Sequence, residues 1–320
     1  MSKLKSVCVV LVTFNRKELL TRCLQNLLQQ SYAVAKIKII DNNSTDGTKA
    51  FLIENGLLND SATVANRTLN TPDNHAATGI EVEHIYLETN TGGAGGFNFG
   101  INEAFNEGFD LIWTMDDDGY PDVECLAGLV ARSEEYDFIS PLVIDEQNHD
   151  QLSFGIGKYF TVAQLLQSYQ QDDVVENVAN PFNGVLFTHS LIAQIGKPKK
   201  DMFIWGDENE FQSRARLHKA RICTVICARH YHPKNRVPFV LVLGRFKVNL
   251  PDGKLRRYCY FRNYTYILKK YYSRNALLKW YVKYYFLFLT KFDFAGLKLF
   301  HIASRHGYKE DFSHHEEYKS

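Results

Sequence analysis

Val7-Cys8-Val9-Val10-Leu11-Val12 is an unbroken, β-branched apolar run, which predicts a strand covered on both faces. Thr13-Phe14-Asn15-Arg16 ends it, and Leu19, Leu20, Cys23, Leu24, Leu27 and Leu28 follow at helical spacing. Ile37-Lys38-Ile39-Ile40 reads as a second strand, and a second helix runs on to Asn55. Strand, helix, strand, helix implies parallel strands joined by right-handed crossovers. That order also limits where a ligand can sit, because open sheets of this kind bind outside the carboxyl ends of their strands.

Three polar clusters fall at such ends: Asn15, Asp41 and Asp116 each follow an apolar run. The third is the most pointed. Leu111-Ile112-Trp113-Thr114-Met115 stops in Asp116-Asp117-Asp118, and Gly119-Tyr120-Pro121 closes the segment. Adjacent carboxylates repel unless a cation neutralises them, and carboxylate oxygens suit magnesium or manganese, which complete their shell with substrate phosphates. The plain alternative is a solvated acidic turn.

Between these clusters, Asn59 to Gly79 is polar and reads as a surface insertion. Asn90 to Gly100 holds five glycines where a helix begins, a place where backbone amides can approach phosphate, or simply a tight turn. A dinucleotide fingerprint does not fit, since that motif follows the first strand and its spacing is absent here. Trp205-Gly206-Asp207-Glu208 places acids in a first helical turn, which the helix dipole favours by itself; the aromatic run before it suggests a lined pocket. His230 and His232 end another strand-like run and read as ligands for metal or phosphate, or as paired surface histidines.

Composition narrows the class. The 320 residues are 45% hydrophobic with a net charge of +1, so a core can form and no overall field draws nucleic acid. The six cysteines are scattered without zinc-knuckle spacing, as expected of buried thiols in a reducing compartment. The first apolar run is too short for a secretory segment, and no run is long enough to span a bilayer, so the expectation is a cytoplasmic protein. Beyond Pro238 the chain becomes aromatic and basic, from Tyr258-Cys259-Tyr260-Phe261 through Trp280 to Lys298. This is the composition of a helix in a membrane interface, or of one packed on a neighbour. The expected division is therefore 1–240 and a C-terminal helical region, 241–320.

Val10 to Arg16, Asp41-Asn42-Asn43-Ser44-Thr45-Asp46-Gly47-Thr48, Asp116-Asp117-Asp118 and Trp205-Gly206-Asp207-Glu208 together resemble the family 2 inverting glycosyltransferases of GT-A fold. The resemblance covers residues 5–235. The Asn90 to Gly100 run and Tyr260-Phe261-Arg262-Asn263 are most similar to the bacterial galactofuranosyltransferase and rhamnosyltransferase branch. It implies an α/β fold, a Rossmann-like mixed sheet with helices on both faces that binds a nucleotide sugar. It implies nucleotide contacts from Thr13, Asn15, Arg16, Asp41, Asn43, Asn90, Gly92, Gly93, Asp116 and Asp117. Manganese or magnesium would be held by Asp116 and Asp118, with His232 and secondarily His230. Glu208 would be the base, with Asp207 orienting it or the acceptor; Trp205, Asn183 and Gly184 would meet the acceptor. Glu208 departs from the family, which usually has Asp there, so Asp207 is the competing base.

The implied reaction moves a sugar, galactofuranose from UDP-galactofuranose, to a glycan or lipid-linked glycan in bacterial surface polysaccharide (lipopolysaccharide) synthesis. The C-terminal region would give peripheral contact with the inner face of the cytoplasmic membrane. The rival readings are a dTDP-rhamnose user, a nucleotidyltransferase lacking its usual Gly-rich basic first loop, and an inactive sugar-binding protein. Sequence leaves assembly into a homo-oligomer open.

Overall fold

The computed structural model describes residues 4–59, 80–169, 173–180, 182–234 and 238–319. All but the first residue of the polar insertion, Asn59 to Gly79, therefore lies outside the described residues. The chain forms two compact units: one of Met1–Thr91, Gly96–Lys197 and His218–Asn235, the other of Gly92–Gly95, Pro198–Leu217 and Arg236–Ser320.

The first unit opens with the expected alternation: β1 (Val7–Thr13), α1 (Lys17–Leu27), β2 (Lys36–Asp41), α2 (Thr48–Glu54), β3 (Glu81–Tyr86), α3 (Gly92–Asn106, its first turn assigned to the second unit) and β4 (Leu111–Asp116). β5 (Tyr120–Pro121), α4 (Cys125–Val130), β6 (Phe138–Asp145), β7 (Gln151–Ile156), β8 (Tyr159–Thr161), α5 (Val162–Ser168), β9 (Val174–Glu176), β10 (Asn183–Thr188), α6 (His189–Ile195) and β11 (Ile222–His232) complete it. The main sheet runs β3-β2-β1-β4-β10-β6-β11-β5. β3, β2, β1 and β4 are parallel, and β10 enters antiparallel to β4 and β6. The parallel half follows the residue pattern, and antiparallel β10 makes it the mixed α/β sheet that the resemblance implies.

Every residue of β1 is buried, as an apolar run without alternation requires. Val9, Leu11, Leu24, Leu27, Trp113 and Met115 share one core cluster. The opposite face of β1 meets α3 closely. A Cβ on Gly96 would stand 2.7 Å from Val12 Cγ1, and one on Gly100 would stand 2.4 Å from Val10 Cγ1. Two of the five glycines thus serve helix-on-sheet packing. One charged pair breaks the apolar pattern: Lys38, buried in mid-strand, lies opposite Glu83, and its Nζ reaches Glu83 at 2.7 Å and Glu107 at 2.5 Å.

The second unit contains α7 (Asp207–Leu217), a hairpin of β12 (Phe239–Val242) and β13 (Phe246–Asn249), and the helices α8 (Lys254–Tyr271), α9 (Arg274–Thr290) and α10 (Phe294–Lys309). The hairpin departs from the helical expectation for 241–320. The helices behave as their aromatic content suggests. Tyr258, Phe261, Trp280, Tyr284, Phe288 and Phe300 form a core in which Phe261 meets Tyr284, Phe288 and Phe300 edge-on. Among the described residues no helix is long and apolar enough to cross a membrane.

Candidate active site

The first unit brings the ends of β1, β2, β4 and β11 to chemistry-bearing side chains. After β1, Asn15 takes a left-handed φ of 53°, and its Oδ1 accepts from the Thr45 N–H at 2.7 Å. The Asn15 N–H donates to Ser44 Oγ at 2.9 Å, so the loops after β1 and β2 are tied together. Asp41 accepts from the Ser44 N–H at 2.8 Å and sits 3.0 Å from His84 Nε2. Burial works against its ionisation, but His84 and Ser44 outweigh that and hold the carboxyl below its usual range. Asn43, at φ 71°, donates to the Glu88 carbonyl at 3.0 Å and to the Tyr86 hydroxyl at 2.8 Å. Beside it, Asn42 Oδ1 receives both the N–H and the hydroxyl of Thr91, the residue between Asn90 and Gly92.

The three aspartates do different things. The Asp116 N–H donates to the Phe182 carbonyl. Asp117 turns inward and is buried, with Thr13 Oγ1 donating at 2.7 Å and Arg16 at 3.1 Å. Burial pushes its pKa up to about 6 against the pull of Arg16 and Thr13. Asp118 receives Arg16 on Oδ2 at 2.8 Å, while its Oδ1 lies 3.1 Å from His232 Nε2. Burial would raise the Asp118 pKa, but His232 and Arg16 prevail and hold it at about 2.

Asp118 Oδ1 is buried and receives no well-formed hydrogen bond, although the ion-pair distance to His232 is short. His232 Nδ1 lies 2.6 Å from the Pro233 carbonyl, which can only accept, so Nδ1 carries a proton. In the neutral ring, Nε2 then presents a lone pair to the carboxylate. With a proton on Nε2 the two atoms form an ion pair, the form in which His232 holds the Asp118 carboxyl low; in place of that proton they could share a cation. Adjacent ligands about 2.1 Å from an octahedral ion lie about 3.0 Å apart, so the donor pair fits a divalent cation.

His230 is placed differently. It is fully buried, and a Cβ on Gly119 would stand 2.3 Å from its Nε2. A Cβ on Gly184, whose φ is +76°, would stand 2.8 Å from its Nδ1. Burial pushes its pKa down to about 3, so the ring is neutral. Gly184 also gives its carbonyl to Trp113 Nε1 at 2.7 Å, and Asn183 stands opposite Met115 in the β10–β4 ladder.

The second unit carries the other predicted acids. Asp207 is buried at the start of α7. Glu208 bends back on its own turn, accepting from the Gly206 N–H at 3.1 Å and from Asn209 Nδ2 at 3.0 Å. Asn209 also donates to the Tyr264 hydroxyl at 3.0 Å. The approach to α7 is contorted: Phe203 and Trp205 both have φ 66°, and Gly206 has φ 95°. Left-handed aromatic residues are uncommon and strained.

Two adjacent residues of α8, Arg262 and Asn263, hold this approach. Asn263 Nδ2 donates to the carbonyls of Met202, Ile204 and Trp205 at 2.9, 3.0 and 2.7 Å. Arg262, fully buried, donates to Met202 O at 2.7 Å and to Asn263 Oδ1 at 2.8 Å. A buried Arg-Asn pair inside an aromatic helix was the available signal, since charged residues enter a core only with partners. Gly92, at φ +69°, faces the same loop: a Cβ there would stand 2.1 Å from the Phe203 carbonyl, while Gly93 faces open space.

A family model described as Glycosyl transferase family 2 matches residues 8–170. Galactofuranosyltransferase GlfT1 of Mycolicibacterium smegmatis is 27% identical over 325 residues, covering 98% of this chain and 99% of its own. Galactofuranosyltransferase GlfT1 of Mycobacterium tuberculosis is 28% identical over 318 residues, covering 96% and 97%. Among solved structures, GalNAc-T7 with UDP, GalNAc and Mn2+ superposes with a TM-score of 0.54 at 14% identity, over 84% of this chain and 48% of that one. Residues 1–349 of S. aureus TarS give 0.53 at 15% identity, over 87% and 72%. At such identities the structural likeness speaks to the fold alone.

Proposed function

The chain belongs to glycosyl transferase family 2, and from that premise we propose that it transfers galactofuranose from UDP-galactofuranose, with inversion, to a glycan or lipid-linked glycan. The fold is of GT-A type and the protein is a glycosyltransferase. The observation that carries the donor assignment is end-to-end similarity to two galactofuranosyltransferases of nearly the same length. We take 1–240 as the transferase domain and 241–320 as a membrane-associated C-terminal helical region. Surface polysaccharide synthesis, at the inner face of a membrane, is the setting this reading implies.

In this reading Asp41 accepts the uracil N–H, a task suited to a carboxylate that His84 and Ser44 keep ionised. Asn15, Asn43 and the loop from Asn90 to Gly93 shape the nucleotide's surroundings. Asp118 and His232 would hold the divalent cation, together with Asp116. The cation, manganese or magnesium by the chemistry of carboxylate and imidazole ligands, would offset the charge of the departing diphosphate. Asp117 acts as a strut, fixing Arg16 and Thr13, and His230 sets the backbone by packing against Gly119 and Gly184.

Glu208 takes the proton from the acceptor hydroxyl as its oxygen bonds to the anomeric carbon and the bond to the diphosphate breaks. One base and one displacement give inversion without a covalent enzyme intermediate. Asp207 and Trp205 would position the acceptor. Before it can act, Glu208 must leave the hydrogen bonds it makes to its own turn.

The test is thermal stabilisation by UDP or by dTDP, each with manganese and then with a chelator. UDP alone should stabilise, and only with the metal. Stabilisation by dTDP would move the assignment to rhamnose, and no response to either would leave a scaffold.

A further inference from the structure

Helix α9 is apolar on two opposite sides. Trp280, Tyr284, Leu287 and Phe288 point into the second unit's core. Leu278, Val282, Phe286 and Leu289 point outward, spaced four, four and three residues apart, within an arc of about 80° at 100° per residue. Leu278 and Val282 are 61% and 59% exposed. The stripe continues past the helix end into Phe292 and Phe294, 78% and 65% exposed. The β12–β13 hairpin repeats the arrangement: Val242 and Val248 are buried, whereas Leu243 and Phe246 at its tip are 68% and 57% exposed. Isolated exposed apolar residues need no explanation, but two contiguous patches in one unit do.

The charges along both segments are predominantly basic. From Arg274 to Lys298 there are five basic residues, Arg274, Lys279, Lys283, Lys291 and Lys298, all exposed, and one acid. That acid, Asp293, accepts from the Gly296 N–H as the cap of α10. From Phe239 to Leu250 the charges are Arg245 and Lys247, with no acid.

We infer that the second unit docks on an anionic lipid surface through the outer stripe of α9 and the tip of the β12–β13 hairpin. Apolar side chains would enter the acyl boundary while lysines reach the headgroups. A second copy is disfavoured as occupant, because a self-complementary contact would set lysines against lysines. The inference deepens the reading of a lipid-linked acceptor by naming where it would be met, and it rests on that reading only for its purpose.

The test is co-sedimentation of the full chain with phosphatidylcholine vesicles, with and without phosphatidylglycerol. Binding should be at least about tenfold tighter with the anionic lipid and fall with salt, since each basic residue near the surface contributes about fivefold. Phe286→Glu/Leu289→Glu and, separately, Leu243→Glu/Phe246→Glu should each weaken it by about tenfold or more while leaving the melting temperature unchanged. Equal binding to both vesicle types, wild-type binding by the glutamate variants, or their loss of self-association without any vesicle binding would overturn the inference. UDP affinity is measured on the same samples. Vesicle binding by a protein that ignores UDP upholds this inference and sinks the donor reading; the converse does the opposite.

Discussion

Asn263→Ala removes one side chain that holds three carbonyls of a strained turn. Met202 O keeps Arg262, but the carbonyls of Ile204 and Trp205 lose the Asn263 donor. An orphaned carbonyl costs about 1–3 kcal/mol, so the two together amount to about 2–6 kcal/mol. Left-handed Phe203 and Trp205 store about 1–3 kcal/mol each, so the strain released is of the same size as the bonds that oppose it. The turn should therefore relax, and α7 should lose its fixed entry. Released strain offsets most of the lost bonding, so the melting temperature should fall by only a few degrees, about 2–4 °C per net kcal/mol lost. Turnover should fall at least about a hundredfold if Glu208 must be placed to within an ångström. UDP affinity should fall far less than turnover, because Asp41, Asp118 and His232 belong to the other unit and only the Gly92 loop packs on the Phe203 carbonyl. The assays are thermal melting, calorimetry with UDP and consumption of UDP-galactofuranose. Asn263→Asp keeps the shape and the acceptor for Arg262 but loses the donors, and should behave like the alanine variant. Wild-type melting and wild-type turnover in both would refute the claim that this side chain holds the turn.

Glu208→Gln should bind UDP normally and lose turnover; full activity there with a dead Asp207→Asn would move the base by one residue. His232→Ala and Asp118→Ala should each weaken manganese-dependent UDP binding by about tenfold or more, read by calorimetry, and leave the metal-free baseline alone. Gly100→Ala should lower the melting temperature, because overpacking against Val10 and Ile40 costs about 1–3 kcal/mol and helix propensity returns only about 1. Gly93→Ala, with open space around it, should not. The Lys38 cluster gives a pH dependence. Burial opposes ionisation of Glu83 and Glu107, yet Lys38 and Lys36 hold both below their usual range. Their contribution is complete above about pH 4.5, the unfolded value, and is lost as pH falls through the lower folded values. Urea midpoints should therefore fall between pH 5 and pH 3 by less in Lys38→Met than in the wild type (pH values about these, by the same linkage); equal falls would refute the coupling.

The parallel half of the sheet was legible because its signal is local: β1, β2 and β4 are apolar runs that end in Thr13, Asp41 and Asp116. What escaped was whatever depends on which wall a residue meets. Gly96 and Gly100 looked like phosphate-loop glycines, yet they are spaced by one helical turn and lie on Val12 and Val10. His84 finds Asp41 only through the β2–β3 register, as Lys38 finds Glu83. The hairpin of Phe239 to Asn249 was hidden by the helical, aromatic composition that follows it. Arg262 and Asn263 were visible as a motif, but their partners, the carbonyls of residues 201 to 205, are backbone atoms that carry no sequence signal.

The central claim is that Asp118 and His232 share a divalent cation on which a uridine diphosphate sugar depends. The most direct measurement is a manganese titration followed by electron paramagnetic resonance, in the wild type and in His232→Ala, with and without UDP. The account predicts one bound manganese in the wild type, tightened by UDP and lost in the variant. Equal manganese binding by both proteins, unaffected by UDP, would contradict it.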